Sequence, residues 1–154
     1  DTIEGDQVPV PKARFLGELY NLLGEKGRVR AEFEKARAHF EKQVAEQPEH
    51  APSHLALGEI YARLGRRDDA LREGLRATTI LPPSRDAIIG PKLQVSLAGI
   101  YMMVGEKEKS LDLLEQLIGK PVVSTPAELG LDPFWDPLRK EPRFQKILER
   151  GDTR

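Results

Sequence analysis

Cysteine is absent from the 154 residues. This excludes disulfide staples and thiolate metal sites, and nothing points to an oxidising compartment. Zero cysteine fits cytoplasm and periplasm alike, with the cytoplasm favoured. Aromatic residues are sparse: one Trp, three Tyr and five Phe. The interleaved cations and stacking rings of a single-strand nucleic-acid binder are therefore missing. Neither sign of charge dominates, with 24 basic against 25 acidic side chains. No bulk pull toward nucleic acid or a membrane surface follows. Apolar runs fall far short of the ~20 residues that span a bilayer, so no membrane insertion is expected. There is no signal-peptide pattern. The chain opens at Asp1, not Met, and its acidic DTIEGD start reads as a linker. The expectation is a fragment of a larger protein, whose targeting segment would lie elsewhere.

What remains is 39% hydrophobic and 32% charged. That balance suits amphipathic helices with solvated outer faces and argues against disorder. The length fits one domain with a real core.

The chain repeats itself. Leu16 to Gly24 reads LGELYNLLG, Leu57 to Gly65 reads LGEIYARLG, and Leu97 to Gly105 reads LAGIYMMVG. Each has Leu, then Gly or Ala, then an apolar residue before Tyr, then Gly four residues after Tyr. A small residue follows downstream in each: Ala36, Ala70 and Ser110. Four residues later come Phe40, Gly74 and Leu114, and then Pro48, Pro82 and Pro121. Each unit reads as a helical hairpin. In the middle one, Leu57, Ile60, Tyr61 and Leu64 share a face. Gly58 lets the partner helix approach, Gly65 suits a left-handed helix end, and Asp68 or Asp69 can cap the next helix. That helix carries Ala70, Leu71, Leu75 and Ala77, and stops at Leu81 before Pro82-Pro83.

The Leu-Gly positions are 41 residues apart at Leu16 and Leu57, and 40 apart at Leu57 and Leu97. In the first unit the extra length falls between Gly24 and Ala36. Seven added residues are about two helical turns, so the buried face is kept. Val29, Phe33, Ala36, Phe40 and Val44 continue one stripe, predicting a long helix from Val29 to Gln47. In the second linker, Ser84 is predicted to cap a helix from Arg85, with Pro91 interrupting it near Gly90. After Gly119, Asp132-Pro133 and Asp136-Pro137 each place a carboxylate before a proline, as helix starts do. Phe134, Trp135, Leu138, Phe144, Ile147 and Leu148 gather apolar mass there. Such a segment suits the terminal cap of a repeat stack.

These offsets resemble the tetratricopeptide repeat, whose period is about 34 residues. Leu57, Gly58, Tyr61, Ala70, Ala77 and Pro82 fall on its signature positions. His54 stands where Trp is usual, and Gly74 replaces a bulky residue. The chain further resembles the C-terminal tetratricopeptide region of bacterial signalling proteins that carry TolB-like, adenylate cyclase or serine/threonine kinase domains. The carrying stretches are Gly65 to Leu81, Asp86 to Pro91, Ile100 to Leu114 and Asp132 to Phe144, within residues 12 to 149. The resemblance implies an all-α fold, a right-handed superhelix of about three hairpins with a C-terminal cap. Residues 1–11 are then a poorly ordered linker. Residues 12–122 hold hairpins at about 12–48, 51–82 and 85–120, and 123–150 form the cap.

The same resemblance implies a non-catalytic scaffold in which a protein or peptide partner lies in a concave groove. Register places Arg14, Glu18 and Asn21 there, then Leu55, Glu59 and Arg63, then Lys92, Val95 and Met102. The alternative is self-association into a homo-oligomer through Leu55, Val95, Met102 and Met103, or through the cap around Trp135. No cofactor, metal or nucleic acid is expected. His50 and His54 have a metal-compatible spacing of four, but no third ligand follows. They read as surface or groove histidines, and His39 as solvent-facing. Asp68-Asp69 and Glu106 with Glu108 sit in turns, without the shelter that acid–base catalysis needs. Arg63, Arg66, Arg67, Arg72 and Arg76 alternate with Glu59, Asp68, Asp69 and Glu73, the pattern of a solvated, salt-bridged face.

Overall fold

A computed structural model describes residues 2–3, 10–11, 16, 19–119 and 125–150. The fold is all-helical with packed helix pairs. One small exception is an antiparallel pairing of β1 (Thr2–Ile3) with β2 (Val10–Pro11). The helices are α1 (Lys26–Glu46), α2 (Ala51–Arg63), α3 (Arg67–Ile80), α4 (Ile89–Met103), α5 (Lys107–Leu117), α6 (Pro126–Leu131) and α7 (Pro142–Glu149). A 3-10 helix, Pro133–Leu138, joins α6 to α7. Pro121 and most of the 1–11 linker lie outside the described residues. The chain forms two compact units, residues 1–77 and 78–154.

In the first unit α1 packs against α2. It buries Phe33, Ala36 and Phe40, at helical spacing. It begins at Lys26, one turn before the predicted Val29, because the residue ending the preceding turn is Gly24 (φ 73°). Outward-facing Arg37 ties Glu34 and Glu41 along the same helix. Helix α2 is buried on most sides, including Leu57, Gly58, Ile60 and Tyr61. In α3 the fully buried positions are Ala70 and Ala77, with Gly74 between them also buried. The expected Leu75 is instead 46% exposed. The stripe is one of small residues, and Leu75 falls off it. Asp68 and Asp69 lie inside the first turn of α3 instead of capping it. There they oppose the positive end of the helix dipole.

In the second unit α4 packs against α5, and the buried Ser110 hydroxyl donates to the Ala98 carbonyl at 2.8 Å. No helix starts at Arg85. The Asp86 carboxylate accepts from the backbone N–H groups of Ile88 (2.9 Å) and Ile89 (2.8 Å), and α4 begins at Ile89. Those bonds, Ile89 first, hold the Asp86 carboxyl below its ordinary range. Pro91 therefore sits in the first turn, where its missing N–H costs nothing, and kinks no earlier helix. Gly90 meets the backbone of Pro82 and Pro83, which a Cβ would approach to 2.6 Å.

The cap residues close one cluster: Ala98, Met102, Leu111, Leu114, Leu129, Trp135, Leu138, Phe144 and Ile147. Asp132 caps the 3-10 helix by accepting from Phe134 N–H. Asp136 lies within that helix and pairs with Arg139 instead of starting a new one. Helix α6 was not expected. Thr125 and Glu128 form a reciprocal capping box around Pro126. Arg143 of α7 bonds Glu115, Asp112 and Glu108 of α5, which hold its guanidinium protonated well above the usual range.

The three predicted hairpin glycines share one geometry. Gly24, Gly65 and Gly105 have φ of 73°, 75° and 85°. In each case the glycine N–H bonds the carbonyl three residues back, and the next N–H bonds the tyrosine carbonyl five residues back. That is the Schellman closure. A cation lies over each tyrosine: Arg28 over Tyr20, Arg66 over Tyr61, Lys109 over Tyr101. The closure makes opposite predictions for two glycines. Gly65→Ala strains a left-handed residue and should cost about 1–2 kcal/mol in urea unfolding. Gly27→Ala, in the first turn of α1 with open space around it, should be neutral or add up to ~1 kcal/mol. Equal effects from both would contradict the assignment.

Candidate functional site

The residues expected to line a groove divide four ways. Arg14 and Glu18 lie outside the described residues. Asn21 and Lys92 are exposed, while Leu55, Glu59 and Arg63 are half-buried. Val95 is half-buried against the cap cluster. Met102 is a core residue, 8% exposed, so it presents no open surface. The cause is the cap itself, which covers a helix face that register alone leaves open. The same burial removes most of the surface assigned to self-pairing: Trp135 is 4% exposed and Met103 packs against the cluster.

Asn21 and Arg63 do come together. They line one cleft of about 210 Å³ in the first unit, with Lys26, Val29, Arg30 and Leu64. Asn21 comes from the helical turn at 19–22, Lys26 to Arg30 from the start of α1, and Arg63-Leu64 from the end of α2. Arg63 projects its guanidinium over the Phe33 ring, 5.6 Å from the centroid. Arg30 reaches Glu34 only at 4.0 Å. Lys26 and Arg30 were missed by counting along the first helix of each hairpin. Their signal was present as two cations four apart, on one face of the second helix.

His54 and His39 are not where sequence reasoning put them, while His50 stands partly exposed just before α2. His54 is buried, with Nδ1 2.7 Å from a Glu73 carboxylate oxygen and Nε2 3.0 Å from the Pro48 carbonyl. It bridges α2, the 47–50 corner and α3. His50 Nδ1 lies 2.7 Å from the Ser53 hydroxyl. His39 is half-buried, its ring edge-on to Phe40, with a buried Nε2 that has no hydrogen-bond partner. Among the described residues no three His, Cys, Asp or Glu side chains gather as a metal site would require. The arginine-rich stretch is paired: Arg66 and Arg72 both bond Asp69, Arg72 also Glu73, and Arg76 Glu49. No described helix is long and apolar enough to cross a membrane.

Between α1 and α2, the Tyr61 hydroxyl donates to Glu41 at 2.7 Å, and Arg37 bonds both Glu41 oxygens. Burial, and then the Glu41 bond, push the Tyr61 phenol up to about 12. Burial alone would raise the Glu41 carboxyl, but the bonds from Tyr61 and Arg37 outweigh it and hold that carboxyl low.

Comparison with protein-family models, with curated proteins and with solved structures found no match.

These shifts carry signs. Glu41 is depressed, so its contribution is present above the ordinary carboxylate range and lost as pH falls through its folded value. Tyr61 is raised, so its contribution is present below about 10 and lost as pH rises through about 12. Absorbance titration of the three tyrosines should show one ionising late. Glu41→Gln should bring it part of the way back, because burial remains. Three phenols titrating together would rule the arrangement out.

Proposed function

We propose that this chain is a non-catalytic protein-interaction scaffold of tetratricopeptide type. On this reading it is a right-handed superhelix of about three hairpins, closed by a C-terminal cap. It binds a peptide or helix of a partner protein and serves as the regulatory or assembly module of a larger bacterial signalling protein. The observation that carries the reading is the threefold recurrence of one hairpin closure. Tyr, a left-handed Gly and a buried small residue (Ala36, Ala70 or Ser110) recur together. Repetition of a helical hairpin builds surface, and a repeated surface suits extended partners. The cleft at Asn21 and Arg63 supports the reading by joining residues of two successive hairpins.

Site-specific photo-crosslinking tests it. A benzoylphenylalanine at Asn21 should give discrete adducts in an extract of the source cells, and the same group at exposed Lys140 should not. Sedimentation across a wide concentration range should give the mass of one chain. Equal labelling from both positions, together with a mass that doubles, would replace the scaffold reading with self-association.

A further inference from the structure

His54 is held at both ends of its ring. Nδ1 lies 2.7 Å from a Glu73 carboxylate oxygen, and Nε2 lies 3.0 Å from the Pro48 carbonyl oxygen. A carbonyl oxygen only accepts, and so does an ionised carboxylate. The other Glu73 oxygen accepts from Arg72 Nε at 3.1 Å, the pairing of a charged carboxylate. A neutral imidazole has one N–H and one lone pair, so it can serve only one of these two acceptors. The ring that fits both is the imidazolium. With one proton fewer, a nitrogen lone pair would face an oxygen lone pair at a buried residue.

The charged groups around the ring are already engaged. Glu73 faces it from α3, and Arg72, which bonds Glu73, also bonds Asp69 at 2.6 Å. At the 47–50 corner, which joins α1 to α2, Glu49 pairs with Arg76 of α3. From α1, Gln43 accepts from the Ser53 hydroxyl at 3.0 Å, while Lys42 and Glu46 pair with each other at 3.8 Å. His50 is the second histidine at this corner. The Ser53 proton is committed to Gln43, so Ser53 Oγ accepts from His50 Nδ1–H, 2.7 Å away. The imidazolium and one neutral tautomer both have that N–H, so His50 can lose its other proton with the bond intact. His54 has no such tautomer.

We infer that His54 is a proton-operated clamp: doubly protonated, it ties the 47–50 corner to Glu73 of α3, and singly protonated it lets the corner go. When the ring gives a proton to solvent, the charged acceptor keeps the one that remains, because charge-assisted bonds are the stronger. The Pro48 contact is therefore the one lost. The corner's own turn, in which the His50 N–H bonds the Gln47 carbonyl at 3.0 Å, then has less to hold it. The direction follows from linkage. The clamped form binds one more proton than the released form, so acid favours the clamp and base favours release. Histidine is the side chain whose charge changes near neutral pH. The inference does not depend on the scaffold reading.

The test uses the full chain, uniformly labelled with heavy nitrogen and titrated from about pH 5 to pH 9. Long-range proton–nitrogen spectra separate the doubly protonated ring from either neutral tautomer, and His39→Gln and His50→Gln assign the rings. Amide exchange, corrected for its intrinsic pH dependence, reports the corner. Exchange at the His50 amide should rise at least about tenfold in step with loss of the His54 proton, the size expected for a lost bond to a charged group. The Gly65 amide, bonded to the Ala62 carbonyl at 3.1 Å in the same unit, should not follow. His54→Gln should abolish the step. Glu73→Gln, which serves if that variant fails to fold, should abolish it too, because an amide can turn and donate to a deprotonated Nδ1. A His54 ring singly protonated at the acid end would overturn the inference. So would a step that ignores the ring, is shared by Gly65, or survives Glu73→Gln.

Discussion

Each hairpin depends on one backbone residue held at a conformation that a side chain resists. Gly24, Gly65 and Gly105 turn the chain through left-handed φ, so that two consecutive N–H groups reach back to the carbonyls at the end of the helix. Helix ends leave such carbonyls unpaired, and closing them with the chain itself removes the need for water or a side chain. The next helix then begins within a few residues and must lie against the last. That close return explains why the facing positions Ala36, Ala70 and Ser110 are small and fully buried. It also explains the cation over each tyrosine, since Arg28, Arg66 and Lys109 all lie just past the turn.

Packing beyond the turns is met in different ways in the two units. The first adds polar bridges: His54 between Glu73 and Pro48, and Tyr61 to Glu41 and Arg37. A buried polar group is costly without partners, and these have them. The second is apolar inside apart from the Ser110 bond to Ala98, and charged at its rim. Phe134 fits because Gly99 has no side chain, and a Cβ there would lie 2.9 Å from the ring. Arg143 then pins α7 across three carboxylates of α5, at an exposed position where ion pairs mainly fix orientation.

The legible parts of this fold were those governed by local rules. The three turn glycines, the small buried positions and the long α1 follow from helical period and from residues that tolerate positive φ. Less legible was anything requiring knowledge of what lies opposite. Met102 has the register of an open groove, yet the cap covers it. His39 and His54 look like surface residues in a charged stretch and at a helix start, yet both rings pack inward. Ser84 was expected to cap a helix from Arg85, and Pro91 tells against that start. A proline in the first turn fits a start at Ile89 and not one at Arg85. Helix α6 is different, because its Thr-Pro-x-Glu signal at Thr125 to Glu128 was in the sequence and went unread. Of the candidate site, Asn21 and Arg63 were legible from repeat register. Lys26 and Arg30 were not, because they belong to the second helix of a hairpin.

The helix starts of this chain do not obey one electrostatic rule. Asp68 and Asp69 occupy the first turn of α3, Glu108 that of α5, and Glu128 that of α6. Each opposes the dipole in the stabilising sense. Helix α1, the longest at 21 residues, does the reverse with Lys26 and Arg28. Folding alone would favour acids there, and this chain has as many acids as bases to place. The cleft lined by Lys26, Arg30 and Arg63 lies at that same helix end. The first turns of α2, α4 and α7 also lack acids, and Arg143 in that of α7 meets carboxylates of α5 instead, so a helix start is satisfied here by neighbours as often as by its own residues.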